Sequence, residues 1–155
     1  MKKIVLLSLV CVVCVLVAGF AFAQPKATQK DAIALVDKAA AYLKANGEAK
    51  AFAEFNLKDG PFTDKGKDLY VFVFDMTGKC LSHGANPALI GRDLSGLKDS
   101  DGKFFIKDFT TVAKTKGNGW IDYNWSNPTT KKIEPKSSYV LKVADNMLIG
   151  CGIYK

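Results

Sequence analysis

Two residues that occur once each draw attention first: His83 and Arg92, in a chain whose positive charge is otherwise all lysine. A guanidinium offers a planar fork that matches a carboxylate in two bonds, which an ammonium cannot do. Lys136 follows Pro135, which fixes the backbone at a strand entrance. Between Arg92 and Lys136 lies the most aromatic stretch of the chain, Gly119-Trp120-Ile121-Asp122-Tyr123-Asn124-Trp125, and Tyr139 follows it. Aromatic walls beside a few fixed donors and cations are the chemistry of a small polar ligand site. Alternation puts Ile121, Tyr123 and Trp125 on one strand face, and Trp120, Asp122 and Asn124 on the other. The expected register sets Tyr123, Trp125 and Tyr139 together on the ligand face; a slip of one residue would bring Trp120 there instead.

Each residue also has a plain structural role. His83 could be a hydrogen-bonded strand histidine, and Lys136 a solvated one of many lysines. Arg92 could clamp its own loop by pairing with Asp93, Asp99 or Asp101. The aromatic residues could be cross-strand packing. A single histidine cannot form a His-rich metal site, and no cysteine is spaced with it as a zinc motif requires, so no metal is expected. The acids are scattered without a catalytic pair, and there is neither a glycine-rich phosphate loop nor a serine elbow. No cofactor is expected.

The elements that must position these groups are readable. Ile33, Val36, Ala40 and Leu43 fall at helical spacing within 28–46, with Thr28 as N-cap, Asp31 behind it and Asn46-Gly47 as the stop. A shorter helix covers 48–55, with Phe52 and Phe55 inward. Leu69–Phe74 is apolar at every position, which predicts a central strand buried on both faces. Asp75–Gly78 turns the chain into a strand over 79–83. Asn86-Pro87 opens a loop of short helical turns, and Asp99–Gly102 makes another turn. Phe105, Phe109 and Val112 mark a helix over 104–114. Strands follow over 118–126, 136–144 and 147–154, the last again apolar on both faces and central. Helices preceding and interrupting an antiparallel sheet make an α+β domain.

The first residues read Met1-Lys2-Lys3, then run apolar from Ile4 to Phe22 and end in Ala21-Phe22-Ala23. That is the pattern of a secretory signal peptide over residues 1–23, leaving 24–155 as one exported, periplasmic domain; an uncleaved membrane anchor is the alternative. Cys11 and Cys14 lie in that apolar run and are not a redox pair. The formal net charge is +7, but the lysines are dispersed and no nucleic-acid motif is present, so nucleic acid is excluded as a partner.

The run Asp75-x-x-Gly78-x-x-Leu81-x-His83, then Asn86-Pro87-x-Leu89-x-Gly91, then Gly119-Trp120-x-Asp122-Tyr123-x-Trp125-x-Asn127-Pro128, then Lys136-Ser137-Ser138-Tyr139-Val140, closing with Gly150-x-Gly152-Ile153-Tyr154, resembles a single Cache domain of the second type. The resemblance covers nearly all of 24–155, and its most specific part is the Trp-rich segment followed by Lys136–Tyr139. It implies a PAS-like fold: a five-stranded antiparallel sheet, a long N-terminal helix, and a helical segment between the second and third strands that covers a pocket. It implies an extracytoplasmic sensor of small molecules, often small organic acids. Most members sit in chemoreceptors or histidine kinases; this sequence ends at Lys155 after its last strand, so a module without its own transmembrane signalling part is expected. In the family's strand order the first strand separates the second, with Cys80, from the fifth, with Cys151, so two buried thiols are expected rather than the disulfide an oxidising compartment would favour.

Three functions remain open at this level. The first is a sensing module for a small carboxylate, with His83, Arg92, Tyr123, Trp125, Lys136 and Tyr139 as ligand-binding residues. The second is an enzyme acting on a small acid with His83 as base. The third is an accessory protein docking on a membrane receptor or kinase.

Overall fold

The computed structural model describes residues 26–155; the expected signal peptide, 1–23, lies outside the described residues. Helix α1 spans Gln29–Asn46 and opens with a full capping box. Thr28 Oγ1 accepts from the Asp31 amide, and Asp31 Oδ2 accepts from the Thr28 amide at 2.8 Å. Its buried stripe is Ala32, Val36 and Ala39. This turns the expected stripe by about one position and leaves Ile33 half-buried. The reason is close approach: α1 lies directly over the sheet, and small alanines sit at the point of contact. Helix α2, Glu48–Phe55, follows without a break longer than Gly47, whose φ of 77° suits glycine.

The strands are β1 (Thr63–Asp64), β2 (Leu69–Asp75), β3 (Cys80–His83), β4 (Asn118–Ser126), β5 (Ile133–Ala144) and β6 (Met147–Tyr154), with α3 (Phe105–Lys116) between β3 and β4. The five expected strands are all present, and β1 is a two-residue addition. Pairing is antiparallel throughout, in the order β1-β2-β6-β5-β4, with β3 also on β2. The two strands expected to be central, β2 and β6, are adjacent, with Val73 opposite Ile149.

Alternation then divides the sheet into two cores. One face, under α1 and α2, buries Val71, Val73, Ile149 and Cys151 with Val36, Phe55 and Phe62. The other, under α3 and the 84–104 segment, buries Tyr70, Phe72, Phe74, Tyr123 and Val140 with Phe105 and Phe109. Cys80 and Cys151 are both buried and free. They lie on strands separated by β2 and in opposite cores, so neither distance nor direction permits a bond.

Candidate functional site

The second core is not uniformly apolar, and its polar groups come from the strands. Tyr123 pairs with Lys136 and Ile121 with Ser138 across β4 and β5. Lys136 pairs with Tyr154, and Ser138 with Gly152, across β5 and β6. These residues therefore share one face with Tyr70 of β2. His83 reaches the same chamber from the end of β3. It is held there by Asn56, just past α2, whose Oδ1 accepts from the His83 amide at 3.1 Å and from Ser82 Oγ at 2.7 Å.

Lys136 is the centre of the arrangement. Its side chain is 1% exposed. Nζ donates to Tyr70 Oη at 2.6 Å and lies 3.4 Å from Tyr154 Oη. It also stands 4.0 Å from the ring centre of Tyr70 and 4.6 Å from that of Tyr154. Tyr154 in turn donates to the Ser126 carbonyl at 3.0 Å. No acidic side chain among the described residues pairs with Lys136 within ion-pair distance. Burial without a counter-charge pulls its ammonium from the ordinary value down to about 7. The tyrosine hydroxyls around it are pushed upward by burial and stay protonated.

Gly152 makes room for this lysine. A Cβ there would stand 2.4 Å from Lys136 Cε and 2.2 Å from Ser138 Oγ, closer than any side chain tolerates. Gly150 does the same for the Phe72 ring, at 2.3 Å.

His83 is buried and neutral. Burial, and then the charge of Lys136, depress it to about 3. Its Nδ1 accepts from the amides of Asn86 at 3.0 Å and Ala85 at 3.3 Å, which assigns the proton to Nε2. The imidazole is thus a donor with its acceptor nitrogen already used.

Aromatic rings close the chamber. Phe105 stacks on Tyr123 with centres 4.4 Å apart, and Phe72 on Phe109 at 5.4 Å. Trp125 meets Phe105 edge-on at 5.3 Å. Tyr123 Oη bonds Ser138 Oγ at 2.9 Å. Leu89 and Leu94 complete the wall. About 10 Å³ of free space remains, room for one water at most. Tyr70 also lines an outer groove of about 280 Å³, rimmed by Lys58, Lys65 and Lys131 beside Asp68.

Of the residues singled out from the sequence, the fold brings His83, Tyr123, Trp125 and Lys136 to this one region. Tyr139 is a correction: it pairs with Trp120, ring centres 5.5 Å apart, on the opposite face under α1. The expected register was off because β4 and β5 align Tyr123 with Lys136, an even offset from 138 and an odd one from 139. Arg92 is exposed and does not line the chamber. Its contribution near the sheet is backbone: its carbonyl accepts from the Cys80 amide at 2.9 Å. Tyr70, Ser138 and Tyr154 were not foreseen. Tyr70 carried a signal, as the one hydroxyl in Leu69–Phe74, since a buried tyrosine needs a partner for its oxygen.

The family model for Single Cache domain 2 matches residues 18–155. Among curated proteins, the chain is 32% identical over 88 residues to the methyl-accepting chemotaxis protein McpP of Pseudomonas putida, covering 56% of this chain and 16% of that protein. It is 34% identical over 92 residues to the sensor histidine kinase MctS of Rhizobium johnstonii, covering 59% and 20%. The chain therefore spans a fifth or less of the length of these relatives. Among solved structures, a Cache chemosensory domain described for carboxylic acid recognition is 25% identical with a TM-score of 0.66, covering 81% of this chain and 91% of that one. A methyl-accepting chemotaxis protein from Vibrio parahaemolyticus is 30% identical with a TM-score of 0.67, covering 81% and 86%.

Proposed function

We propose, from the fact that this chain belongs to the single Cache domain 2 family, that its domain senses a short carboxylate bound between the sheet and the 84–116 segment. The observation that carries the reading is the buried side-chain amine of Lys136, which has two hydroxyls and two rings around it but no acid. A buried cation is costly unless paired. A ligand carboxylate would supply the missing charge, with Tyr70 and the Nε2–H of His83 as further donors. The single cation and the aromatic walls suit a monocarboxylate with a small apolar remainder, packed on Tyr123 and Trp125. With about 10 Å³ free, binding must move wall side chains, which would turn occupancy into a change of shape. The lysine-rimmed groove above Tyr70 offers an anion its approach.

A binding role is favoured over turnover by the state of His83. A general base needs a free acceptor nitrogen, and here Nδ1 already accepts two backbone amides. The likeness to a chemoreceptor and a sensor kinase supports a periplasmic location and a receptor or kinase as the downstream partner. Among the described residues no helix is long and apolar enough to cross a membrane.

The test is a melting-shift series with acetate, propionate and lactate, each against its amide. Saturation at a hundred times the dissociation constant stabilises by about 2.7 kcal/mol. Acids should raise the melting temperature and amides should not. Equal shifts from acid and amide, or none from any acid, would refute the reading.

A further inference from the structure

We infer, on the carboxylate reading just given, that the protein takes up its ligand together with a proton, which ends on Nζ of Lys136, so that affinity depends on pH across the neutral range. The step balances simply: a neutral amine, a free carboxylate and one proton from solvent become an ammonium–carboxylate pair, with no bond in the ligand broken.

Lys136 is enclosed on every side. From β2 it faces the Tyr70 hydroxyl and ring, and from β6 the Tyr154 hydroxyl. From β3 the neighbouring titratable group is His83, which is neutral, and from β4 it is Tyr123. Cys151 belongs to the opposite core, and its thiol is pushed up to about 12 by burial. Asp68, in the turn before β2, is the acid whose charge reaches Lys136. Its carboxylate is engaged elsewhere, by the Thr129 hydroxyl and by Asn127 Nδ2 at 3.3 Å. Every group in contact is thus neutral, and Lys136 itself is almost wholly shut off from solvent. An ammonium in such a place is deprotonated far more easily than one in solvent, consistent with the value of about 7. A carboxylate arriving beside it restores the charged form, because an opposite charge within a few ångströms favours it.

The sign follows. Below the free protein's value Lys136 is already charged and binding takes up nothing. Above it, each ligand anion must be accompanied by a proton, and affinity falls as pH rises. At pH 8 the tyrosine hydroxyls and the Cys151 thiol already hold their protons, so none of them can accept another. His83, depressed to about 3 by burial and by the charge of Lys136, stays neutral at that pH.

Calorimetric titration of acetate and propionate into the purified protein, in HEPES and in Tris at each pH, reads the uptake from the difference in heats. A midpoint near 7 predicts about 0.9 proton taken up at pH 8 and about 0.1 at pH 6, with affinity falling about fivefold between pH 7 and pH 8. Lys136→Met, which keeps the chamber filled, should abolish the uptake at pH 8 along with most of the affinity. Equal heats in the two buffers at pH 8 would overturn the inference while leaving the carboxylate reading intact. Uptake confined below pH 6.5 would overturn it too, naming His83 as the acceptor. No heat from either acid in either buffer at any pH would overturn the carboxylate reading itself, and this inference with it.

Discussion

The helix-covered face of the sheet and the chamber face are made by alternate residues of the same strands, and they solve opposite problems. On β2, Val71 and Val73 face the helices, while Tyr70, Phe72 and Phe74 face the chamber. On β5, Tyr139 and Leu141 face the helices, while Lys136, Ser138 and Val140 face the chamber. The helix side is a dry core that asks only for volume, which Ala32, Val36, Phe55 and Phe62 supply. The chamber side carries an ammonium, an imidazole and four hydroxyls, each desolvated. Such a face contributes less to stability than an apolar one of the same size, and that is the expected mark of a site that binds something. The glycines of β6 belong to the same design, since Gly150 and Gly152 leave the space that Phe72 and Lys136 fill.

If the contrast is right, damage to the two faces should separate stability from binding. The largest effect is on the helix side. Phe55→Ala removes a fully buried ring packed edge-on against Phe62 at 4.6 Å. It should cost about 3–5 kcal/mol in urea unfolding and leave ligand affinity unchanged at temperatures where the protein stays folded. A comparable loss of affinity would mean that the two cores are not independent.

Next comes pH. Lys136 and His83 both sit below their ordinary values in the folded protein, at about 7 and about 3. The unfolded chain therefore binds more protons between those values and the ordinary ones, and stability must rise with pH through both windows. The Lys136 window should add about 2–3 kcal/mol between pH 7 and pH 9. Above pH 9 the unfolded thiols ionise while Cys80 and Cys151 hold their protons to about 12, so the rise should reverse. Urea midpoints across this range check it; a flat profile from pH 7 to pH 9 would mean Lys136 is not desolvated.

Lys136→Met should then do the reverse of Phe55→Ala. It replaces a buried cation by an apolar chain of similar length and leaves Tyr70 Oη within 3.3 Å of Tyr154 Oη. Stability below pH 7 should be unchanged or raised, while carboxylate affinity drops about tenfold to a hundredfold. Destabilisation together with intact binding would contradict the assignment of this face. The smallest effects are expected from Tyr139→Phe and Arg92→Ala, one on the helix face and one exposed. Each should change affinity by about twofold or less. A tenfold loss for Arg92→Ala would show that its side chain reaches the ligand after all.

Much of this architecture is already determined by the sequence. Thr28 and Asp31 fix the start of α1, the all-apolar Leu69–Phe74 and 147–154 runs can only be doubly covered strands, and Asp75–Gly78 turns the first hairpin. These are local consequences of hydrogen bonding and of side-chain period, and they need no partner to be read. The motifs that carry the family resemblance are equally local. What the sequence alone does not determine is which strand residue faces which core, because that depends on register between strands. One residue of register separates Tyr139 beside Trp120 from Tyr139 on the face of Tyr123, and only the pairing of β4 with β5 decides it. The same holds for Lys136. In the sequence it is one lysine among many, and its chemistry arises from being enclosed by Tyr70, Tyr154 and the bare backbone of Gly152, residues 66, 18 and 16 positions away. The sequence places Lys136 among the candidate ligand residues, but desolvation is a property of the enclosure and not of the residue, so only the tertiary structure decides that this lysine is buried without an acid partner.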